Sequence, residues 1–270
     1  MRLIRVYSEE PLAPHREHAL SRRASEHVLR VLRLRAGDAL TLFDGRGGEY
    51  PARLVRAAKL AAVAETGDHI AVERESPLAV TLLQSLARGE KMDWIVQKAT
   101  ELGAARIVPV GMERSVVRFA GDDREGRKLT HWQAVAAAAC EQCGRNRLPV
   151  IDAPMDLFAA LAAAEAAADV RLLLAPQGED ALAAVVSPGA LATAPGAARA
   201  VLLVGPEGGF EEHEVAAARR HGFRTVRFGP RVLRTETAAI AAITALQVLA
   251  GDLHGAGASV VRLLTARSAQ

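Results

Sequence analysis

Cysteine is nearly missing from this chain of 270 residues, and the two that occur, Cys140 and Cys143, lie in an alanine-rich helical run. A C-x-x-C pair can hold zinc or exchange electrons. A structural zinc site needs further ligands, which a second pair would have to supply. A thioredoxin-like motif needs a preceding strand, and none is read here, so the two thiols are expected to pack. No apolar run reaches the roughly 18 residues of a membrane-spanning helix. The N-terminal MRLIRVYSEEPL lacks the apolar core and cleavage site of a signal peptide. A cytoplasmic protein without a membrane partner is expected. No metal-ligand cluster accompanies any motif, so no metal is expected either. Excess charge is slight: the formal net charge is +3 with a pI near 9.2, a mild pointer to a polyanionic partner.

What is present gathers between Arg199 and Ala250. Val201–Val204 and Thr225–Phe228 are short, apolar and rich in β-branched or aromatic residues, and they read as buried strands. Each runs into a Gly/Pro loop, Gly205–Gly209 and Gly229–Arg234, and then into a helical pattern. Strand ends of a parallel α/β sheet are where loop amides and helix N-termini converge on ligands. The first loop is neither a phosphate loop, since no G-K-[ST] follows, nor a G-x-G-x-x-G fingerprint. Glycines at 205, 208 and 209 let backbone approach a ligand closely. A tight strand-to-helix turn would explain one such loop. Two loops, the second carrying R-T-E-T at Arg234–Thr237, point to a site.

GPEGGF at Gly205–Phe210 together with GPRVLRTETA at Gly229–Ala238 resembles the RsmE family of bacterial 16S rRNA uridine-N3 methyltransferases. The resemblance extends to RVLRLRAGD at Arg30–Asp38, RGEKMDWIVQKATELG at Arg88–Gly103, ERSVV at Glu113–Val117 and CEQCGRNRLP at Cys140–Pro149. The family usually has Leu where Phe228 stands and often Ser where Glu211 stands; Glu is a poorer helix cap than Ser, although favourable near a helix N-terminus. The resemblance implies an α/β fold of the SPOUT type. In that fold a parallel sheet with a C-terminal trefoil knot holds S-adenosylmethionine, and a small PUA-like β-barrel precedes it. It implies a homodimer and, as partner, 16S rRNA or the small ribosomal subunit.

The expected division is 1–72 as the RNA-binding barrel, 77–254 as the methyltransferase domain and 255–270 as a tail without assigned role. In the first part, Arg2–Tyr7, Leu40–Phe43, Tyr50–Val55 and His69–Val72 read as short strands separated by Asp44-Gly45 and Gly47-Gly48 turns, with a helix over Ser25–Leu34. Between Arg16 and Arg35 stand six arginines against two glutamates. A solvated helix face would explain such a run; the arginine bias suits phosphate, and Arg22, Arg23, Arg30 and Arg33 are the RNA-docking candidates. In the second part, Leu78–Leu86 reads as a strand buried on both faces. Lys91–Leu102 reads as an amphipathic helix ended by Gly103. Ile107–Val110 and Leu172–Ala175 read as further strands, and His131–Cys143 as a second helix. Val186–Ala198 reads as a linker. Thr237–Leu249 is a helix apolar all round, buried in its own subunit or a partner.

Site residues follow. Ala175, Pro176, Val204, Gly205, Pro206, Glu207, Gly208, Gly209, Phe228, Gly229, Val232 and Leu233 are the expected cofactor pocket. Arg145 and Arg147 serve either the dipole of the preceding helix or RNA; Lys91 serves either a solvated face or RNA. The resemblance favours RNA for all three. The uridine N3 proton must leave. Arg234 can stabilise the developing charge but is a poor base, which leaves Glu236 and Glu207 as candidate acceptors without a choice between them. Two competing readings are ribose 2′-O-methylation and a non-catalytic RNA-binding assembly factor. The Lys91–Glu101 and Cys140–Pro149 motifs oppose the first, and the intact GPEGG and LRTET motifs oppose the second.

Overall fold

The computed structural model describes residues 4–58, 61–117, 123–165, 168–186 and 198–253. Most of the expected linker and the whole 255–270 tail lie outside the described residues. The chain falls into two compact units: 1–75 with 136–148, and 76–135 with 149–270.

The first unit is built on a five-stranded sheet. Its elements are β1 (Arg5–Tyr7), β2 (Glu17–Ala19), α1 (Arg22–Glu26), β3 (Ala39–Phe43), β4 (Tyr50–Ala58) and β5 (Ala61–Thr66), in the strand order β1-β3-β4-β5-β2. Only β1 and β3 run parallel; the other pairs are antiparallel. Alternation over Tyr50–Leu54 makes that part of β4 half-buried, with Tyr50, Ala52 and Leu54 inward and the intervening residues out. Val6, Val28, Leu40, Leu42 and Leu54 are among the residues of its core. No pairing of β1 with β2 closes the sheet among the described residues, so the expected barrel is here a sheet path with two ends.

Two strands escaped the sequence because they carry little apolar signal: β2 reads EHA and β5 reads AAVAET. Conversely, 69–72 is no strand. It contributes a single bridge, Glu49 with Ile70. The expected 25–34 helix begins earlier, where the Ser21 hydroxyl caps Ala24 N–H, and passes into a π-helical turn over His27–Val31.

A buried ionic cluster ties residues 140–148 into this unit. The Arg5 guanidinium donates to Glu49 and, at 2.5 Å, to Asn146 Oδ1, and it lies 4.7 Å above the Phe43 ring. Arg74 bonds Glu49 at 3.3 Å and the Gly144 carbonyl at 2.9 Å. Asn146, fully buried, donates to Val72 O at 2.7 Å. Burial raises the Glu49 carboxyl, but the hydrogen bonds from Arg5 and Arg74 outweigh it and hold the group below its ordinary value.

The second unit is an eight-stranded sheet with helices, and its central strands are apolar runs because both faces are covered. Its strands are β6 (Leu78–Ser85), β7 (Ala104–Gly111), β8 (Val150–Ile151), β9 (Met155–Asp156), β10 (Val170–Leu174), β11 (Asp180–Ala181), β12 (Ala198–Val204) and β13 (Arg224–Arg227). The order is β11-β13-β10-β12-β6-β7-β8, with β9 on β7, and every pairing is parallel. The helices are α2 (Glu90–Glu101), α3 (Asp123–Cys143, of which 136–143 belong to the first unit), α4 (Leu157–Glu165), α5 (Leu182–Val185), α6 (Glu212–Arg220) and α7 (Thr235–Ala250). The α2 helix buries Met92, Ile95, Val96 and Ala99, as its spacing requires. The α7 helix packs on α2, β6 and β12. Among the described residues no helix is long and apolar enough to cross a membrane.

The Arg5–Glu49 pair is nearly dry, with side chains 4% and 11% exposed. Arg5→Met leaves the buried Glu49 carboxylate with only the longer bond from Arg74 and is expected to destabilise the protein by about 3 kcal/mol near neutral pH. A carboxyl whose folded value is depressed contributes stability above its unfolded value and loses it as pH falls through the folded value. The gap between wild type and Arg5→Met, measured by urea unfolding, should therefore narrow on acidification.

Candidate active site

Three strands adjacent in the sheet, β13, β10 and β12, end on the same edge because they run parallel. Their following loops, 175–178 after β10, 205–210 after β12 and 228–234 after β13, face one another around a cavity of about 400 Å³. That volume suits a nucleoside-sized ligand. All twelve expected pocket residues, Ala175 through Leu233, line it. Arg114, Leu174, Gln177, Phe210, Val215, Arg231, Thr235 and Ala238 line it as well. Arg114 had a visible signal, the ERSVV motif, but spacing alone could not bring it to a loop nearly a hundred residues away.

Local packing dictates the loop shapes. Gly178 lies so close to the β13 backbone that a Cβ there would overlap the Val226 carbonyl. A Cβ on Gly208 would stand 3.0 Å from Arg114 Cβ. The Arg114 guanidinium also holds this loop, donating to Gly208 O at 3.1 Å and to Glu211 at 2.5 Å. Glu211 thus spends its side chain on Arg114, which holds its carboxyl below the usual range. Glu211 also shares a reciprocal capping box at the start of α6 with Glu214, whose carboxylate accepts from Glu211 N–H at 2.9 Å.

The strongest tie is buried. Thr235 begins α7, and its hydroxyl donates to Gly205 O at 2.8 Å while accepting from Gln84 Nε2 at 2.9 Å. One side chain thereby joins the end of β6, the first glycine of the 205–210 loop and the N-terminus of the last helix.

Charged groups flank the pocket. Lys91 Nζ lies 2.6 Å from Glu207 Oε1 and 3.6 Å from Glu236 Oε2. Its hydrogen bond holds the Glu207 carboxyl below the ordinary glutamate value, and Glu207 in turn pushes the Lys91 ammonium up. Lys91 therefore faces the two candidate proton acceptors. Arg234 is exposed at the N-cap of α7 and forms no ion pair with Glu236 among the described residues. Its charge acts on Lys91 and Glu207.

Of the arginines expected to meet RNA, Arg22, Arg23, Arg30 and Arg33 are exposed on the first unit. Arg145 is not available. Its side chain is 5% exposed and makes a two-pronged pair with Glu75, at 3.0 and 2.6 Å, so its role is to hold 140–148 in place. Arg147 is half-exposed and pairs with Glu73 at 3.1 Å. Cys140 is buried, its thiol donating weakly to Arg147 O at 3.7 Å.

Comparison with known proteins fits this geometry. The RNA methyltransferase domain family matches residues 74–247 and the RNA methyltransferase PUA domain family matches 20–66. The fold and site thus define an RNA methyltransferase. Ribosomal RNA small subunit methyltransferase E of Buchnera aphidicola is 30% identical, over 92% of this chain and 94% of its own. The crystal structure of a ribosomal RNA small subunit methyltransferase E from Neisseria gonorrhoeae, bound to S-adenosyl methionine, superposes with a TM-score of 0.79 at 36% identity, covering 93% of this chain and 99% of that one. The Legionella pneumophila protein Lpg2936, solved with the bound cofactor SAM, gives a TM-score of 0.86 at 37% identity, over 93% and 100% of the two chains. The chain belongs to the ribosomal RNA small subunit methyltransferase E family.

Thr235→Val keeps the shape but leaves the Gly205 carbonyl and the Gln84 amide without their buried partner, which costs about 1–3 kcal/mol for each such group. The variant should melt lower and exchange the 205–209 amides faster, as hydrogen-exchange mass spectrometry would show. Unchanged exchange would mean that the loop is held by Arg114 alone.

Proposed function

We propose that this protein methylates N3 of a uridine in 16S rRNA, within free rRNA or the small ribosomal subunit, using S-adenosylmethionine and acting in the cytoplasm. The observation that carries this reading is the convergence of three strand-end loops on one cavity beside a rim bearing Lys91, Glu207 and Arg234. The pocket fits the cofactor. Leu174, Val204, Phe228, Val232 and Leu233 offer apolar walls, and the 175–177 and 205–209 backbone offers polar edges. When bound, the cofactor supplies a methyl group already activated on sulfur, so the protein mainly has to align it.

Arg234 is the residue we assign to the charge that develops on the uracil carbonyl oxygens as N3 loses its proton. Its guanidinium is exposed at the mouth of the 228–234 loop, and a fixed cation there acts chiefly in the transition state. Residues 1–72 form the RNA-docking part in this reading and 77–254 the methyltransferase domain. Arg22, Arg23, Arg30 and Arg33 supply exposed guanidinium forks for phosphate.

We also read the C-terminal segment as the SPOUT trefoil knot. In support, the chain leaves β13, two strands away from β12, yet returns to pack α7 on β12 and β6, with Thr235 hydrogen-bonded under the 205–210 loop. A homodimer is part of the proposal. The apolar α7 buries Ala239, Ala242, Ile243 and Leu246 within the chain but leaves Ile240, Ala241, Val248 and Leu249 half-exposed, and Val232 at the pocket is 79% exposed.

Incubating the protein and cofactor with unmodified small subunits, followed by nucleoside mass spectrometry, tests the reading: 3-methyluridine supports it and a 2′-O-methyl product overturns it. Arg234→Ala should bind S-adenosylmethionine normally and lose roughly 10²-fold or more in single-turnover methylation. Arg234→Lys should recover only part, since a point charge cannot reproduce a planar fork. Arg22→Ala with Arg23→Ala should lower the salt dependence of RNA binding, by up to about one unit of slope per lost phosphate contact, without moving cofactor affinity.

A further inference from the structure

The two carboxylates beside Lys91 are not equivalent. Glu207 lines the cavity and takes the short hydrogen bond, 2.6 Å from the ammonium. Its Oε1 is engaged by the ammonium and its carboxyl is held low, chiefly by Lys91, with Arg234 adding to the effect. A committed, weakly basic carboxylate is a poor proton acceptor. Glu236 sits in the first turn of α7, two residues beyond Arg234, with its side chain 16% exposed. Its Oε2 is buried and accepts no hydrogen bond among the described residues, although Lys91 Nζ stands 3.6 Å away. A carboxylate oxygen that stands near an ammonium without accepting a hydrogen bond retains an open lone pair.

Resting on the uridine-N3 reading, we propose that Glu236 accepts the N3 proton, and that Lys91 is a positioning residue that holds Glu236 and Glu207 in register. The charged groups facing this pair are Lys91 from α2, Glu207 from the loop after β12 and Arg234 from the start of α7. In the step, the N3–H electron pair becomes the bond to the methyl carbon. The carbon–sulfur pair stays on sulfur, and Glu236 Oε2 takes the proton. The sulfonium's positive charge and the carboxylate's negative charge disappear together, so the step creates no net charge in the site. Lys91 meanwhile stands between the cofactor loop and the first turn of α7, 2.6 Å from Glu207 and 3.6 Å from Glu236.

The test uses the full chain with unmodified small subunits. Glu236→Gln should slow single-turnover formation of 3-methyluridine by about 100-fold or more, with S-adenosylmethionine affinity by calorimetry within about threefold of wild type. Glu207→Gln should slow it by less than about tenfold. Formate should restore activity to Glu236→Ala and not to Glu207→Ala, a rescue that a purely structural glutamate would not show. Lys91→Met should slow transfer by about 10-fold or more, Lys91→Arg should recover part, and in the free protein Lys91→Met should raise the carboxyl titration of Glu207 followed by 13C NMR. A Glu236→Gln enzyme at wild-type rate overturns the proposal, as does one that unfolds or loses cofactor binding, or an absence of formate rescue. A wild-type protein that forms no 3-methyluridine overturns the functional reading and this proposal with it.

Discussion

A single hydroxyl organises the second unit. Thr235 is buried where the end of β6, the loop after β12 and the start of α7 meet, and its Oγ gives one hydrogen bond and takes another. In a dry environment neither the Gly205 carbonyl nor the Gln84 amide can turn to water, so the position of the loop and the direction of the helix are tied together. The parallel order β13-β10-β12 supplies the rest, because it delivers three loop-bearing strand ends to one edge. The pocket follows from these two constraints, and the residues lining it contribute mostly backbone edges and apolar walls.

The charged groups divide by what surrounds them. In the first unit Arg5 and Arg145 are almost wholly enclosed and paired with Glu49 and Glu75. Such a cluster specifies which backbone segments meet, and losing one member leaves another charge buried. In the second unit Lys91, Glu207 and Arg234 lie at or near the surface beside a cavity. Their mutual influence is real but open to solvent and to a ligand. The same residue types thus hold a fold in one place and face chemistry in the other, and the difference is burial, not composition.

The strands β6, β7, β10, β12 and β13, the helices α2 and α7, and the glycine-rich loops were legible because they depend on local rules, whereas β8, β9, β11, α4 and α5 were not read from the sequence. Long apolar runs must be covered on both faces, α2 repeats its apolar residues every three or four positions, and glycines mark where backbone must come close. The twelve residues expected at the pocket all line the cavity for that reason: they are the strand ends and loops themselves. The short β2 and β5, poor in apolar residues, were not legible, since their pairing partners rather than their own side chains make them strands. Arg145 and Arg147 looked alike in GRNRLP, yet Glu75 buries one while Glu73 leaves the other half-exposed. Arg114 could be seen only as part of a motif, and its grip on Gly208 arises from packing between segments far apart in sequence. Sequence by itself determined the family, the chemistry-bearing loops and the periodic elements, because these rest on neighbours along the chain. Tertiary structure decided which charges are buried, which carboxylate Lys91 engages and what Thr235 joins, because those depend on distances between residues that the chain brings together only when folded.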